Sequence, residues 1–508
     1  MTDRFAYDEV PYDTEANTEA HPRSMATLGR LFGIPTAAPS KARLLGIGCG
    51  DGEHLLAAAS YLPHARFVGF DLSAEAIARG QHAARTTLAT NVELLHRDVR
   101  DARDSRDGRE LGLFDYVIAH GVYSWVPEGI RGDVLAVIRG ALAENGIGFL
   151  SMNALPGWEL RRALRLLMRE AASSAVEPGE KVRAALALVD DLAGASGDGF
   201  VSVLAKAAQE YRAHVTQATP PDAPFSHYVF HDLIAECNDP FSVAALEGRL
   251  RAQGLRILCE TPLLPARAGA AEATDVRWLA ARMLDSGSPF LQVLVCRDDA
   301  TTDEPTTARA VAAVREMHLW ADLAPVDARS FRTTTGAVLR ATGDAGLARA
   351  ARAAPQFVSV RSLADDEPSL AELARDLFLS SSEGLLTIAS EPAPIARRSP
   401  CPRVTLHVRQ RARAATAARA PTAVLTSALH RSFRVPWTEL VVIRELDGDT
   451  DERELCARVR RAIAGGSAQL AGGALARGDE RAIAEHVERV LDRFGRYGFF
   501  VGGEEIGP

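Results

Sequence analysis

Between residues 42 and 153, short apolar runs alternate with stretches whose apolar residues recur every three or four positions. ARLLGIGC, ARFVGFD, VELLHRD, FDYVIAH and GIGFLSMN have the length and content of strands. HLLAAASYL, AEAIARGQHAARTTL and RGDVLAVIRGAL, lying between them, carry the helical period. Strands alternating with helices predict a parallel sheet with right-handed crossovers. Upstream, Pro22 opens a helix on which Met25, Leu28, Leu31 and Phe32 share a face, and Gly33 closes it. Downstream, residues 156–217 read as helix, broken near GASGDG, and PPDAP marks a boundary. In 226–300, HDLIAECN, SVAALEGRLRAQG and VRWLAARMLDSG read as helices, and LRILCET and FLQVLVCRD as strands. DDATTDEPTT is a polar linker. Residues 308–395 are weakly patterned, with helix AELARDLF and strand GLLTIAS, and helical periodicity resumes over 403–508.

The length of 508 residues exceeds what one core organises and implies several domains. Hydrophobic residues at 47% and charged residues at 24% are those of an ordinary globular chain. No stretch approaches the roughly 18 apolar residues of a membrane span. The opening MTDRFAYDEVPYD has no apolar core of a secretory signal, so a cytoplasmic protein without membrane insertion is expected. The six cysteines form no CxxC pair and sit near no histidine at ligand spacing; they read as buried thiols, and no metal is expected.

A net charge of −8 disfavours a broadly basic nucleic-acid binder. Only three of the 58 basic residues are lysines (Lys41, Lys181 and Lys206), a bias expected of GC-rich coding. Residues 397–434 hold nine arginines and no acid, with little aromatic interleaving, which favours a solvated face or an interdomain contact over nucleic acid.

The most informative segment is LLGIGCGDGEHLLAAA. A strand enters Gly48-Cys49-Gly50-Asp51-Gly52 and a helix follows, so backbone can approach a ligand and free N–H groups face it. The next strand ends at Asp71, 21 residues after Gly50, where a carboxylate can hold a ribose diol; Leu72 follows it. A third strand ends at Asp98-Val99, placed to reach an adenine edge. This spacing alone would allow NAD. The glycine pattern is not the phosphate-binding GxGxxG; it resembles the GxGxG of class I S-adenosylmethionine (SAM) methyltransferases. That resemblance implies SAM as cofactor. Gly46 stands where that family usually has an acid for the methionine amino group, so either SAM affinity is weaker or Glu53 or the N-terminal segment supplies the acid.

The fourth strand leads into His120, Tyr123, Ser124 and Trp125, where this fold meets the methyl acceptor. Aromatic faces can hold a cation, and His120 can accept a proton. The acidic, aromatic opening that contains Tyr7, Glu9 and Tyr12 is expected to fold over the site as a lid. YDEVPY, His21-Pro22, LGRLFG, GIGCGDG, AHGVYSWVP and SMNALPGW occur in that order. Together they resemble bacterial methyltransferases with a methyltransferase regulatory domain, including the rickettsial-type protein lysine methyltransferases. HYVFHDLIAECNDPFSV resembles the regulatory segment, and LDGDTDERELCARV a C-terminal winged-helix-like region. The expected fold class is α/β: a Rossmann-like class I sheet with additional mixed α/β and C-terminal helical, winged-helix-like domains. The expected division is 1–41 lid, 42–155 SAM domain, 156–225 helical connector, 226–300 regulatory domain, 301–402 linker and middle region, and 403–508 C-terminal domain. The resemblance implies N-methylation of lysine on a protein or peptide. Methylation of a small molecule or ribosomal peptide, and a SAM-binding regulator with little catalysis, stay open. Tyr123, His120, Tyr7 and Glu9 are the expected catalytic residues, with Tyr12 and Trp125 on the substrate. The long helices are compatible with a homodimer.

Overall fold

The computed structural model describes residues 6–12, 14–104, 111–218, 226–261, 276–300, 306–327, 330–333, 338–340, 344–381, 386–464 and 473–502. Residues 301–305 of the linker expected at 298–307 therefore lie outside the described residues, as does the PPDAP boundary.

The alternation of short apolar runs and helices yields β1 (Arg43–Ile47), β2 (Arg66–Asp71), β3 (Val92–His96), β4 (Phe114–Ala119) and β5 (Leu142–Asn153). Between them run α3 (Glu53–Ala59), α4 (Ala74–Thr86), α5 (Val99–Asp104) and α6 (Glu128–Ala141), preceded by α1 (Ala6–Glu9) and α2 (Pro22–Leu31). The five strands pair in parallel, as the pattern predicts.

The domain boundary expected at 155 does not hold. The strands read in 226–300, β6 (Leu255–Glu260) and β7 (Phe290–Arg297), join the same sheet. Its order is β3-β2-β1-β4-β5-β7-β6, with β7 antiparallel to β5 and β6. The excursion between β5 and β6 holds α7 (Glu159–Ala171), α8 (Pro178–Ala193), α9 (Phe200–Ala218), α10 (His227–Val229), a π turn at Phe230–Ile234 and α11 (Val243–Ala252). HDLIAECN is thus no regular helix. α12 (Val276–Ser286) then leads to β7.

Strand period places Leu44, Phe67, Tyr116 and Phe149 on one face and Leu45, Val68, Val117 and Leu150 on the other. The first face is covered by Met25 and Leu31 of α2 and by Ala310 and Val314 of the helix Thr307–Arg315. The core of the middle region is continuous with the sheet. It also contains two small three-stranded sheets. The C-terminal unit has its own core, with Val408, Trp437, Leu455 and Phe494. A hairpin, Thr422–Thr426 with Ser432–Pro436, falls between the helices Leu406–Ala417 and Trp437–Ile443.

Candidate active site

The turn after β1 is backbone-driven. Gly48, Gly50 and Gly52 adopt φ of 61°, 58° and 76°, where a side chain is strained. Space is also short: a Cβ would lie 2.6 Å from Val122 Cγ2 at Gly48 and 2.6 Å from Thr14 Cγ2 at Gly50. Asp71, at the end of β2, braces the turn. Its Oδ2 accepts from Gly50 N at 2.8 Å and its Oδ1 from Ser73 N at 2.8 Å. Burial raises its pKa. Each oxygen keeps a further lone pair for a ligand hydroxyl. Cys49 N donates to Phe70 O at 3.1 Å, and burial pushes its thiol well up. Asp51 accepts from the Thr14 hydroxyl and, at 3.2 Å, from Glu53 N. Leu72 exposes 47% of its surface beside Asp71. Asp98 is tied to Arg100, whose Nη2 lies 2.6 Å from Oδ2, and Val99 begins α5.

Gly46 is a packing position. A Cβ there would meet Leu55 Cδ1 at 3.2 Å and Cys49 Cβ at 3.4 Å, so a side chain would have to push the Leu55 side chain aside by a few tenths of an ångström. Glu53 does not replace the missing acid. Its Oε1 faces His407 Nε2 at 3.1 Å and its Oε2 accepts from Arg411 Nη1 at 2.7 Å, both in the C-terminal unit. Burial would raise the Glu53 pKa; His407 and Arg411 outweigh it and hold it below the ordinary value.

His120 leaves β4 beside Ser151 of β5, because Ala119 pairs with Leu150 in the register. Ser151 Oγ lies 2.9 Å from His120 Nδ1 and accepts from Gly121 N at 2.8 Å. Burial lowers the His120 pKa to about 4, so the ring is neutral at physiological pH. Asn17 Nδ2 lies 3.5 Å from His120 Nε2 and donates to Gln292 Oε1 at 2.9 Å. Gln292 pairs with Ser151 in the antiparallel register, so three segments converge here.

The N-terminal segment lies across the carboxyl edge of the sheet. Tyr7 stacks on His231 of the π turn, ring centroids 4.2 Å apart, and Tyr12 meets the same ring edge-on at 5.6 Å. Val10 is buried, and its carbonyl accepts from His231 Nε2 at 2.7 Å. Asp8 turns inward and accepts from the Ser73 hydroxyl at 2.5 Å. Its neighbour Glu9 is exposed. Tyr123 is a correction: it is fully buried in the core against Phe241, centroids 5.2 Å apart, and lines no open slot. Trp125 is half-buried. Ser151, Asn17, Gln292, Thr14 and the His231-Asp232 pair were not singled out from the sequence. For the last pair the only signal was the HYVFHDLIAECND resemblance.

Residues 45–147 match the family described as a methyltransferase domain. Two Rickettsia prowazekii proteins are similar. RP028 is 30% identical over 47% of this chain and 90% of its own length. RP789 is 32% identical over 51% of this chain, which spans only 45% of that protein. Among solved structures, PKMT2 from Rickettsia typhi, also solved in complex with AdoHcy, superposes with a TM-score of 0.79 over 97% of this chain and 100% of PKMT2. At 21% identity that likeness establishes a shared fold. The chain therefore belongs to one family with RP028, and its residues 45–147 form a class I methyltransferase domain of the S-adenosylmethionine-dependent type.

Proposed function

We propose that this protein transfers the methyl group of S-adenosylmethionine to the side-chain amine of lysine on a protein. The observation that carries this reading is the Tyr7-Val10-Tyr12 segment, seated on His231 at the carboxyl edge beside the glycine turn. It supplies aromatic walls and excludes water where the methyl group would leave. The donor fits the turn: positive-φ glycines leave room for it, Asp71 retains lone pairs for its ribose, and the exposed face of Leu72 suits an adenine. When bound, the donor supplies an electrophilic methyl on a sulfonium. The chain's residues hold that methyl against an incoming amine and shed water, and alignment supplies much of the rate. A lysine amine has a pKa near ~10.4 in water, and burial in an apolar slot favours its neutral, nucleophilic form. His120, neutral and fixed by Ser151, acts as an orienting hydrogen-bond partner. The likeness to PKMT2 supports a protein acceptor. Incubation with methyl-labelled SAM and a bacterial extract tests the reading. Label precipitating with protein is expected; label confined to the small-molecule fraction would overturn it.

A further inference from the structure

Asp232 sits on the π turn, with only 4% of its surface exposed. Its Oδ1 accepts from Asn238 Nδ2 at 3.0 Å, and Asn238 Oδ1 accepts from Asn153 Nδ2 at 2.5 Å. Asn153 ends β5, two residues past the Ser151 that fixes His120. The carboxylate is thus tied to the strand end where the methyl would leave. Its Oδ2 is buried and meets no partner at normal hydrogen-bond distance and angle among the described residues, although the Tyr228 hydroxyl faces the carboxyl group as a hydrogen-bonding neighbour. The adjacent His231 is in the same condition. Its Nε2 donates to the Val10 carbonyl, so Nδ1 is the lone-pair side, and Nδ1 is buried without a partner. A buried imidazole nitrogen lacking a donor, beside a carboxylate whose second oxygen is incompletely satisfied, is costly unless a donor arrives.

The surroundings are aromatic. Tyr7 stacks on His231, and Tyr12 and Phe230 meet its edge. Tyr7 lies within electrostatic reach of both Asp71 and Asp232, so the cluster adjoins the donor side. Three other groups face Asp232: the Tyr228 hydroxyl from α10, and Arg161 and Arg165 from α7. Their hydrogen bonds run elsewhere in part. Arg161 Nη1 donates to Tyr228 Oη at 3.4 Å and its guanidinium lies over Trp158, while Arg165 Nη2 donates to the Ala235 carbonyl at 2.5 Å.

We infer that Asp232 and His231, walled by Tyr7 and Tyr12, form the binding site for the ammonium group of the acceptor side chain. This rests on the lysine reading above and adds residues to it. The aromatic faces attract the cation and Asp232 Oδ2 accepts its N–H. Burial raises the Asp232 pKa to about 6, so the group is an anion at physiological pH. In the reaction the ammonium first gives one proton through Asp232 to solvent. The nitrogen lone pair then forms the N–C bond as the C–S bond breaks, its electron pair passing to sulfur. The products are a methylammonium and a neutral thioether.

The test uses full-length protein saturated with S-adenosylhomocysteine and two probes, N-acetyl-lysine amide and N-acetyl-norleucine amide, with binding followed by NMR. The lysine probe should bind wild type and the uncharged probe should not. Asp232→Asn should weaken the lysine probe at least tenfold while leaving S-adenosylhomocysteine affinity unchanged. Tyr12→Ala, at a half-exposed wall, should weaken it several-fold and guards against misfolding of the first variant. Equal lysine binding by wild type and both variants, or no preference for the charged probe, would overturn the inference. Binding of the lysine probe by a wild type that methylates no lysine would support this site and overturn the lysine-transfer reading instead.

Discussion

The glycine turn depends on single residues at special backbone angles. Gly50→Val adds strain at φ 58° and drives side-chain atoms into Thr14, which would lie 2.6 Å from even the first added carbon. We expect S-adenosylhomocysteine affinity, measured by calorimetry, to fall by at least about tenfold, the equivalent of ~1.4 kcal/mol. Binding within twofold of wild type would contradict the assigned donor site. His120 makes a quieter prediction. Its pKa of about 4 leaves it neutral over the physiological range. The rate–pH profile should therefore show no limb near pH ~6.5 that His120→Gln removes. The glycines, Asp71 and His120 were legible because strand ends and turn spacing place them. Tyr123 was misjudged because spacing along a strand end does not reveal whether a ring points into the core, where Phe241 holds it. Asp232 was illegible because Tyr7, Arg161 and Arg165, which lie within its electrostatic reach, are distant in sequence and met only by folding.

Elements were easier to read than their pairing. Both LRILCET and FLQVLVCRD were recognised as strands, yet nothing local says that they return antiparallel to complete the sheet begun at Arg43. The arginine-rich stretch shows the same limit. Arg398 pairs with Glu452, Glu488 and Asp492, Arg411 with Glu53, and Arg431 lies over Trp320. These three arginines are drawn into ties within the chain. The Glu53 tie matters because that residue opens α3 directly after the glycine turn. Removing one partner of a buried ion pair costs about 3–5 kcal/mol. Glu53→Gln should therefore lower the melting temperature and also weaken donor binding; an unchanged melting temperature would show that the tie contributes little. Because the folded pKa of Glu53 is depressed, its contribution is full at neutral pH and is lost as pH falls below the ordinary carboxyl range, near ~4.3.

At the scale of the whole molecule, the C-terminal unit is held against the donor side by buried imidazoles. His430 Nε2 lies 3.0 Å from His54 Nδ1, and the His21 ring lies 4.6 Å from that of His430. Arg23 Nη1 donates to the Ala428 carbonyl at 3.1 Å, and Thr18 Oγ1 to the His430 carbonyl at 2.9 Å. Burial lowers all three imidazole pKa values, that of His54 to about 3. Arg23, His407 and His120 add to the lowering, and the Glu53 carboxylate opposes it at His54. In the unfolded chain each imidazole protonates near pH ~6.5. Below that pH the unfolded state binds more protons, so stability falls as pH drops. The melting temperature should decline between about pH 7 and pH 5, and His54→Gln should flatten that decline; parallel curves would refute the assignment. No helix of the described residues is long and apolar enough to cross a membrane. The central claim concerns transfer to lysine. Its most direct measurement is mass spectrometry of protein labelled with methyl-labelled SAM, mapping which side chain carries the label. The account predicts label on lysine side-chain nitrogen, reduced by Gly50→Val at limiting SAM and by Asp232→Asn. Label on any other side chain, or lysine label undiminished in Gly50→Val at limiting SAM, would contradict it.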